Sequence, residues 1–131
     1  MNLGTFGAIL RFAMELEERA AAFYAAAAQT GADAPFEDFA RSARKRLKRL
    51  ERARREGISE MILESITGLD GDHYRASPGP GAGAAEMLAL EEAAARFYRD
   101  AAAKLPIREV VRLFERLARE HERQITRLEE E

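Results

Sequence analysis

The sequence of 131 residues contains no cysteine. The chain therefore has no disulfide framework, no thiolate nucleophile and no zinc or iron site built from cysteine thiolates. It also lacks a glycine-rich phosphate loop, a dinucleotide-binding fingerprint and a nucleophile-elbow serine motif. These absences exclude several large classes of enzyme and metalloprotein.

The chain has no strong excess of charge of one sign. Its net charge of -2 implies no general attraction to nucleic acid or membranes. The apolar start of the chain lacks a basic leader and runs into Arg11 and Glu15, so it fits neither a signal peptide nor a transmembrane helix. We therefore expect a cytoplasmic protein that does not enter the membrane.

Four segments show helical periodicity and are rich in alanine, leucine, glutamate and arginine. Proline and glycine cluster outside these segments. This composition predicts one all-α domain, residues 1–131. The predicted segments are helix A (about Thr5–Gln29), helix B (about Pro35–Glu56), a short continuation (59–67), a loop (68–84), helix C (about Ala84–Lys104) and helix D (from Pro106). Two helical hairpins joined by one long crossover loop are the ferritin-like arrangement of the four-helix bundle.

One motif occurs twice in the chain. LEERAAAFY, Leu16–Tyr24, returns as LEEAAARFY, Leu90–Tyr98, with seven of nine positions identical. Helix B also aligns with helix D through Phe39 and Phe114. The sequence therefore predicts an internal repeat of one helical hairpin.

Both glutamates of the repeated motif are expected inside the helical core. Glu17 and Glu91 lie at alternating three-residue and four-residue spacings with apolar residues, whereas Glu18 and Glu92 are about 100° away on the solvated flank. Burying an ionised carboxylate costs several kcal/mol unless its charge is compensated. A positive group should therefore face them; the alternative is that a slight helix rotation leaves both acids at the bundle edge.

Helices B and D supply the candidates for that positive group. Di-metal bundles carry Glu-x-x-His on these helices, but helix B has Arg46 and Arg49, and helix D has His121 and Gln124. A guanidinium can bridge two carboxylates and would repel a divalent metal. We predict a metal-free ion-pair cluster of Glu17, Arg46, Arg49, Glu91 and His121, with Tyr24, Tyr98 and Gln124 beside it.

The chain resembles the rubrerythrin branch of the ferritin-like superfamily over nearly its whole length. AMELEERAAAFYAAAA and ALEEAAARFYRDAAA are similar to the first and third helices of that family, and LFERLAREHERQITRLEE is similar to its fourth. The resemblance implies a di-iron centre that reduces peroxide or reacts with oxygen. Glu17 and Glu91 match family ligands, and Tyr24 and Tyr98 match its aromatic pair. The other four ligand positions and the cysteines of an attached rubredoxin domain are not matched.

Two functions follow from this comparison. The first is a non-catalytic binding or scaffold protein without a cofactor, because Arg46 and Arg49 stand where ligands should be. The alternative is a residual iron-binding oxidoreductase; a single metal could be held by Glu17, Glu91 and His121 if Arg46 swings outward. For the tyrosines, core packing is preferred to a redox role.

Three further features have a structural explanation. The segment from Arg41 to Arg55 contains nine basic residues and one acid, a composition that can bind nucleic acid. No aromatic residue is interleaved for base stacking, so we expect these arginines to pair with acidic faces of helices A and D. His73, near Asp70 and Asp72, fits a turn better than a calcium loop. The apolar residues Leu3, Ile62 and Leu69 suggest cover by a second copy, hence a homodimer, beside an unknown protein partner.

Overall fold

The computed structural model describes residues 3–29, 35–57, 66–75 and 84–130. Within these residues the chain is all-α, with four long helices, one short 3-10 helix and no strand. The long helices are α1 (Phe6–Gln29), α2 (Phe36–Gly57), α3 (Ala84–Ala102) and α4 (Arg108–Glu129), and the 3-10 helix is Gly71–Tyr74. The helix number and order predicted for a four-helix bundle are confirmed.

Most helix ends lie within two residues of their predicted positions. The end of α3 is earlier than predicted, because the amides of Lys104 and Leu105 both bond to the carbonyl oxygen of Ala101 and close a turn. The prediction that Pro106 begins α4 is wrong. Ile107 is the N-cap, with extended backbone angles, and the helix starts at Arg108. The predicted continuation, residues 59–67, lies outside the described residues except for Ile66 and Thr67, which are not helical.

The chain divides into two compact units, and the first, Gly7–Leu63, contains nearly all of α1 and all of α2. Within it, Glu17 bonds to Arg46, and the Tyr24 ring meets Phe39. Contacts later in α1 are thus made with residues earlier in α2. The two helices therefore run antiparallel, as a helical hairpin.

The second unit, Met1–Phe6 with Glu64–Glu131, is built on α3 and α4. Glu91 contacts His121, and Tyr98 contacts Phe114, so this pair of helices is also an antiparallel hairpin. The segment before α1 joins this unit, since the Leu3 amide donates to the Leu69 carbonyl oxygen at 3.1 Å.

The reason given above for a homodimer is wrong for two of its three residues. Leu3 and Leu69 are already buried within a single chain, so neither needs cover from a second copy. Ile62 lies outside the described residues.

Heptad spacing correctly predicted which helix faces are buried. On α1 and α3 the apolar residues at alternating three-residue and four-residue spacings from Glu17 and Glu91 are buried except Ala27, which is half-buried, and the flanking Glu18 and Glu92 are exposed. The central positions of α2 and α4 are buried in the same way. The buried predicted positions of α2 and α4 are Phe39, Ala43, Arg46, Leu50, Val110, Phe114, Leu117 and His121.

Candidate functional site

The first hairpin buries an acid against a base. Arg46 Nε donates to Glu17 Oε1 at 2.9 Å, and both side chains have 0% exposure. Both residues lie on the core faces of their helices, where each would be costly to desolvate alone. Each charge of the pair neutralises the other. Removal of one partner therefore lowers the stability of the fold far more than replacement of both by apolar residues.

Seven residues further along α1, Tyr24 forms an aromatic layer next to this ion pair. Its ring lies edge-on to Phe39, with 5.1 Å between centroids, and stacks on Phe36 at 6.1 Å. Tyr24 is fully buried. The prediction that this tyrosine packs in the core is confirmed.

The second hairpin buries a carboxylate with two donors from α4. Glu91 Oε1 is 2.6 Å from His121 Nδ1 and accepts a hydrogen bond from Gln124 Nε2 at 2.8 Å. All three side chains are buried. An ionised Glu91 carboxylate can only accept, so with Glu91 ionised the proton of this short contact is on His121 Nδ1, and the contact fixes the orientation of the imidazole ring.

Tyr98 forms the aromatic layer of the second hairpin. Its ring lies edge-on to Phe114, with centroids 5.1 Å apart and an interplanar angle of 89°. It also stacks on the His121 imidazole at 5.6 Å and 18°. The imidazole is therefore held by a hydrogen bond on its edge and by an aromatic ring on its face.

The same arrangement occurs in each hairpin. On the first helix a glutamate precedes a buried tyrosine by seven residues, and on the second a phenylalanine precedes a base by seven. The glutamate contacts the base, and the tyrosine contacts the phenylalanine. The chemical difference is the base, a permanently charged guanidinium in one hairpin and a titratable imidazole in the other.

All of the predicted site residues except Arg49 are buried. The alternative that both glutamates lie at a bundle edge is wrong, because Glu17 and Glu91 have 0% exposure. Arg49 is only half-buried and lies off the buried face that carries Arg46. Gln124, expected beside the cluster, contacts Glu91 directly. That Arg46 bridges both glutamates stays a prediction.

In the described parts of the chain, no three side chains of histidine, aspartate or glutamate are grouped so that they could hold a metal ion. That Glu17, Glu91 and His121 together hold a single metal ion stays a prediction. Glu17 Oε1 accepts a hydrogen bond from Arg46, and Glu91 Oε1 accepts one from Gln124.

A further set of contacts, which no sequence pattern predicted, joins Tyr74, Arg96 and Asp100, and we call it the tyrosine clasp. The Tyr74 hydroxyl donates to Asp100 Oδ2 at 2.6 Å, and the Arg96 guanidinium carbon lies 5.7 Å from the centre of the Tyr74 ring. Burial, and then this hydrogen bond, raise the pKa of Tyr74 well above its usual value. The clasp attaches the 3-10 helix to α3, and Arg96 adds a hydrogen bond to the His73 carbonyl oxygen.

The turn interpretation of the aspartates near His73 is supported by their geometry. The Asp72 amide donates to Asp70 Oδ1 at 3.0 Å and lowers the pKa of that carboxyl group. His73 itself is exposed. Asp70 therefore caps the 3-10 helix.

The basic stretch of α2 pairs differently from the expectation. Arg46 does bond to an acid of α1, but Arg41 and Arg52 pair with Asp38 and Glu56 of α2 itself. Most of the other basic side chains of this helix are exposed.

Comparisons of the chain with protein-family models, curated proteins and solved structures gave no match. None of the helices in the described residues is both long and apolar enough to cross a membrane. The described residues form an all-α protein with four long helices, in which each hairpin buries a carboxylate against a basic side chain.

Proposed function

We propose that this chain is a rubrerythrin-like member of the ferritin-like superfamily whose di-metal site has been lost, and that it acts as a non-catalytic binding or scaffold protein. The chief support is the buried ion pair between Glu17 and Arg46 at 2.9 Å. A guanidinium at this position supplies the positive charge that a metal ion would otherwise supply. The glutamate is then retained for stability, without any metal chemistry.

The charge of Arg46 makes this loss difficult to reverse. A divalent ion that binds Glu17 has to approach a permanent positive charge within hydrogen-bond distance of the same carboxylate. Moving Arg46 aside separates a buried ion pair, at a cost of several kcal/mol. In the second hairpin, the Gln124 side-chain amide donates a hydrogen bond to Glu91. An N–H group directed at the carboxylate cannot act as a metal ligand, because a ligand atom has to offer a lone pair.

The partner and the location are part of the proposal. We propose a cytoplasmic protein that binds an unidentified protein partner and forms a homodimer. Because Leu3 and Leu69 are buried within one chain, only Ile62 remains of the three residues that suggested a homodimer. Sedimentation velocity over a range of concentrations tests it directly, and a monomer at all concentrations would remove the homodimer from the proposal.

One observation favours the alternative, a residual iron-binding oxidoreductase. Glu91 and His121 are both metal-ligand types, and their side-chain atoms approach to 2.6 Å. If His121 released its Nδ1 proton, the two could hold one metal ion together with ligands from water. Such a site would be weak, since two protein ligands are fewer than catalytic metal sites use.

Metal analysis separates the two functions. Purified protein is incubated with Fe²⁺, Mn²⁺ or Zn²⁺, passed over a desalting column and analysed for metal, alongside Glu91→Gln and the exposed-neighbour control Glu92→Gln. We expect no stoichiometric metal in any of the three proteins. One equivalent of metal in wild type and in Glu92→Gln, but not in Glu91→Gln, would overturn the metal-free proposal and support the alternative.

A further inference from the structure

The outer face of α2 carries a continuous row of basic side chains, which we call the basic seam: Arg41, Arg44, Lys45, Lys48, Arg52 and Arg55. All six are exposed. At 3.6 residues per turn they fall within about 100° of the helix circumference, opposite the buried face that carries Phe39 and Leu50. The seam is about 21 Å long, from a rise of 1.5 Å per residue.

The basic seam is poorly neutralised by the chain itself. Arg41 and Arg52 pair with acids at the two ends of α2. In the described parts of the chain, Arg44, Lys45 and Lys48 form no ion pair. Like charges three or four residues apart on a helix repel each other and destabilise it. Repulsion within the basic seam therefore destabilises α2, and no ion pair of Arg44, Lys45 or Lys48 in the described residues offsets it.

Helix α4, unlike α2, has no exposed row of basic residues without acidic neighbours. Its surface alternates arginine with glutamate, and Arg116 pairs with Glu120 within the helix. Glu122 pairs with Arg99 of α3 at 2.6 Å, and this contact lowers the pKa of Glu122. Charges on α4 are thus balanced locally, whereas Arg44, Lys45 and Lys48 at the centre of the basic seam have no acidic partner among the described residues.

We propose that the basic seam binds an acidic helical segment of another protein. The inference rests on the proposed function, because it names the chemistry of the partner that a non-catalytic binding protein would hold. Successive seam residues follow spacings of four, three, four and three along Arg41, Lys45, Lys48, Arg52 and Arg55. This spacing matches glutamates on one face of a facing helix over its whole length.

Nucleic acid fits the same surface less well. No aromatic residue lies between Arg41 and Arg55 for base stacking, and α2 contains neither asparagine nor glutamine for reading base edges. Helix α2 has a net charge of +5, so with -2 for the whole chain the remainder carries -7. The net negative charge of the whole chain gives a long phosphate backbone no long-range attraction to the protein.

The test uses fluorescence anisotropy with three labelled probes. The first is a synthetic helical peptide with glutamate at every facing heptad position, the second has glutamine there instead, and the third is mixed-sequence duplex DNA. We expect the glutamate peptide to bind full-length protein, with binding lost at high salt. The glutamine peptide and the duplex should bind at least about tenfold more weakly.

Matched variants connect that binding to the seam. The triple variant Arg44→Gln/Lys45→Gln/Lys48→Gln should bind the glutamate peptide at least about tenfold more weakly. Its circular dichroism and melting temperature should be unchanged or higher, because like-charge repulsion is removed. The control Arg112→Gln/Arg119→Gln/Arg123→Gln removes three exposed arginines from α4 and should bind as wild type does.

The result is decisive in either direction. Equal binding by the two triple variants, no binding of the glutamate peptide, or duplex binding as tight as peptide binding would each overturn the proposal. Metal content is measured on the same samples. A bound metal with intact peptide binding would reject the proposed loss of the metal site and leave the basic seam as a docking surface.

Discussion

The Glu17–Arg46 pair shows at the scale of one residue why a buried charge must be considered with its partner. Arg46→Met removes the cation and leaves a carboxylate at 0% exposure. We expect a loss of about 3–5 kcal/mol in the free energy of unfolding, measured by urea denaturation. In the double variant Glu17→Leu/Arg46→Met neither charge is buried, so most of that stability should return.

An exposed glutamate provides the control for this experiment. Glu18→Leu changes the residue next to Glu17 on the solvated flank, and its effect should stay within about 0.5 kcal/mol. If the double variant were as unstable as Arg46→Met, loss of packing would explain the effect and pairing of charge would not.

The Tyr74 hydroxyl gives a prediction about pH. Its folded pKa is raised, first by burial and then by the hydrogen bond to Asp100. The unfolded tyrosine loses its proton near pH 10, while the folded one retains it. The stabilisation is therefore fully present below about pH 10 and is lost as the pH rises further.

Tyr74→Phe removes both the hydrogen bond and this titration. At neutral pH we expect a loss of about 1 kcal/mol in the free energy of unfolding. Above about pH 10 the difference between wild type and variant should shrink, since wild type alone carries the titrating hydroxyl. Parallel stability curves for the two proteins across this pH range would show that the hydroxyl is not the titrating group.

At the scale of one element, the segment after α2 depends on the backbone of Gly68. Gly68 has φ of +86°, and a Cβ there would lie 3.0 Å from Lys104 Nζ. The lysine end can move, but the left-handed backbone remains unfavourable for alanine. We expect Gly68→Ala to lower the free energy of unfolding by about 1–2 kcal/mol, measured by thermal and urea denaturation.

Gly7 is a control for the same substitution in a different backbone conformation. It lies in the first turn of α1, and a Cβ there would meet nothing within 4 Å. Gly7→Ala should raise the free energy of unfolding by about 0.5 kcal/mol through helix propensity. Equal effects of the two substitutions would rule out backbone conformation as the cause.

The helices and their buried faces could be predicted because each carries its own periodic signal. Spacing alone identified Glu17, Glu91 and His121 as core residues, and the cost of a buried acid identified Arg46 as a partner. Arg49 was included because it stands three residues later, but that offset turns its side chain about 60° away from Arg46. Spacing within one turn of a helix therefore does not decide which of two nearby side chains contacts a buried acid.

The tyrosine clasp could not be predicted in the same way. Tyr74 lies in a segment without periodicity, and its partners Arg96 and Asp100 are on the exposed side of α3. Such contacts depend on where an irregular segment meets a helix, which local sequence does not encode. The backbone conformation of Gly68 belongs to the same group, since glycine permits left-handed angles without requiring them.

At the scale of the whole molecule, opposite charges are separated along the chain. The net charge of -2 is small because +5 on α2 offsets -7 elsewhere. Long-range repulsion across the molecule is therefore weak, and the local repulsion on the basic seam is the charge effect that salt should relieve most. Each exposed ion pair among the described residues that salt weakens contributes little to stability.

This separation predicts how stability depends on salt. We expect the free energy of unfolding of wild type to rise by up to about 1 kcal/mol as sodium chloride screens the basic seam. The variant Arg44→Gln/Lys45→Gln/Lys48→Gln should be more stable at low salt and should gain less from added salt, because its repulsion has already been removed. The α4 control Arg112→Gln/Arg119→Gln/Arg123→Gln should respond to salt as wild type does. If all three proteins gained stability equally, general salt effects would explain the gain, and the cost assigned to the seam would have to be withdrawn.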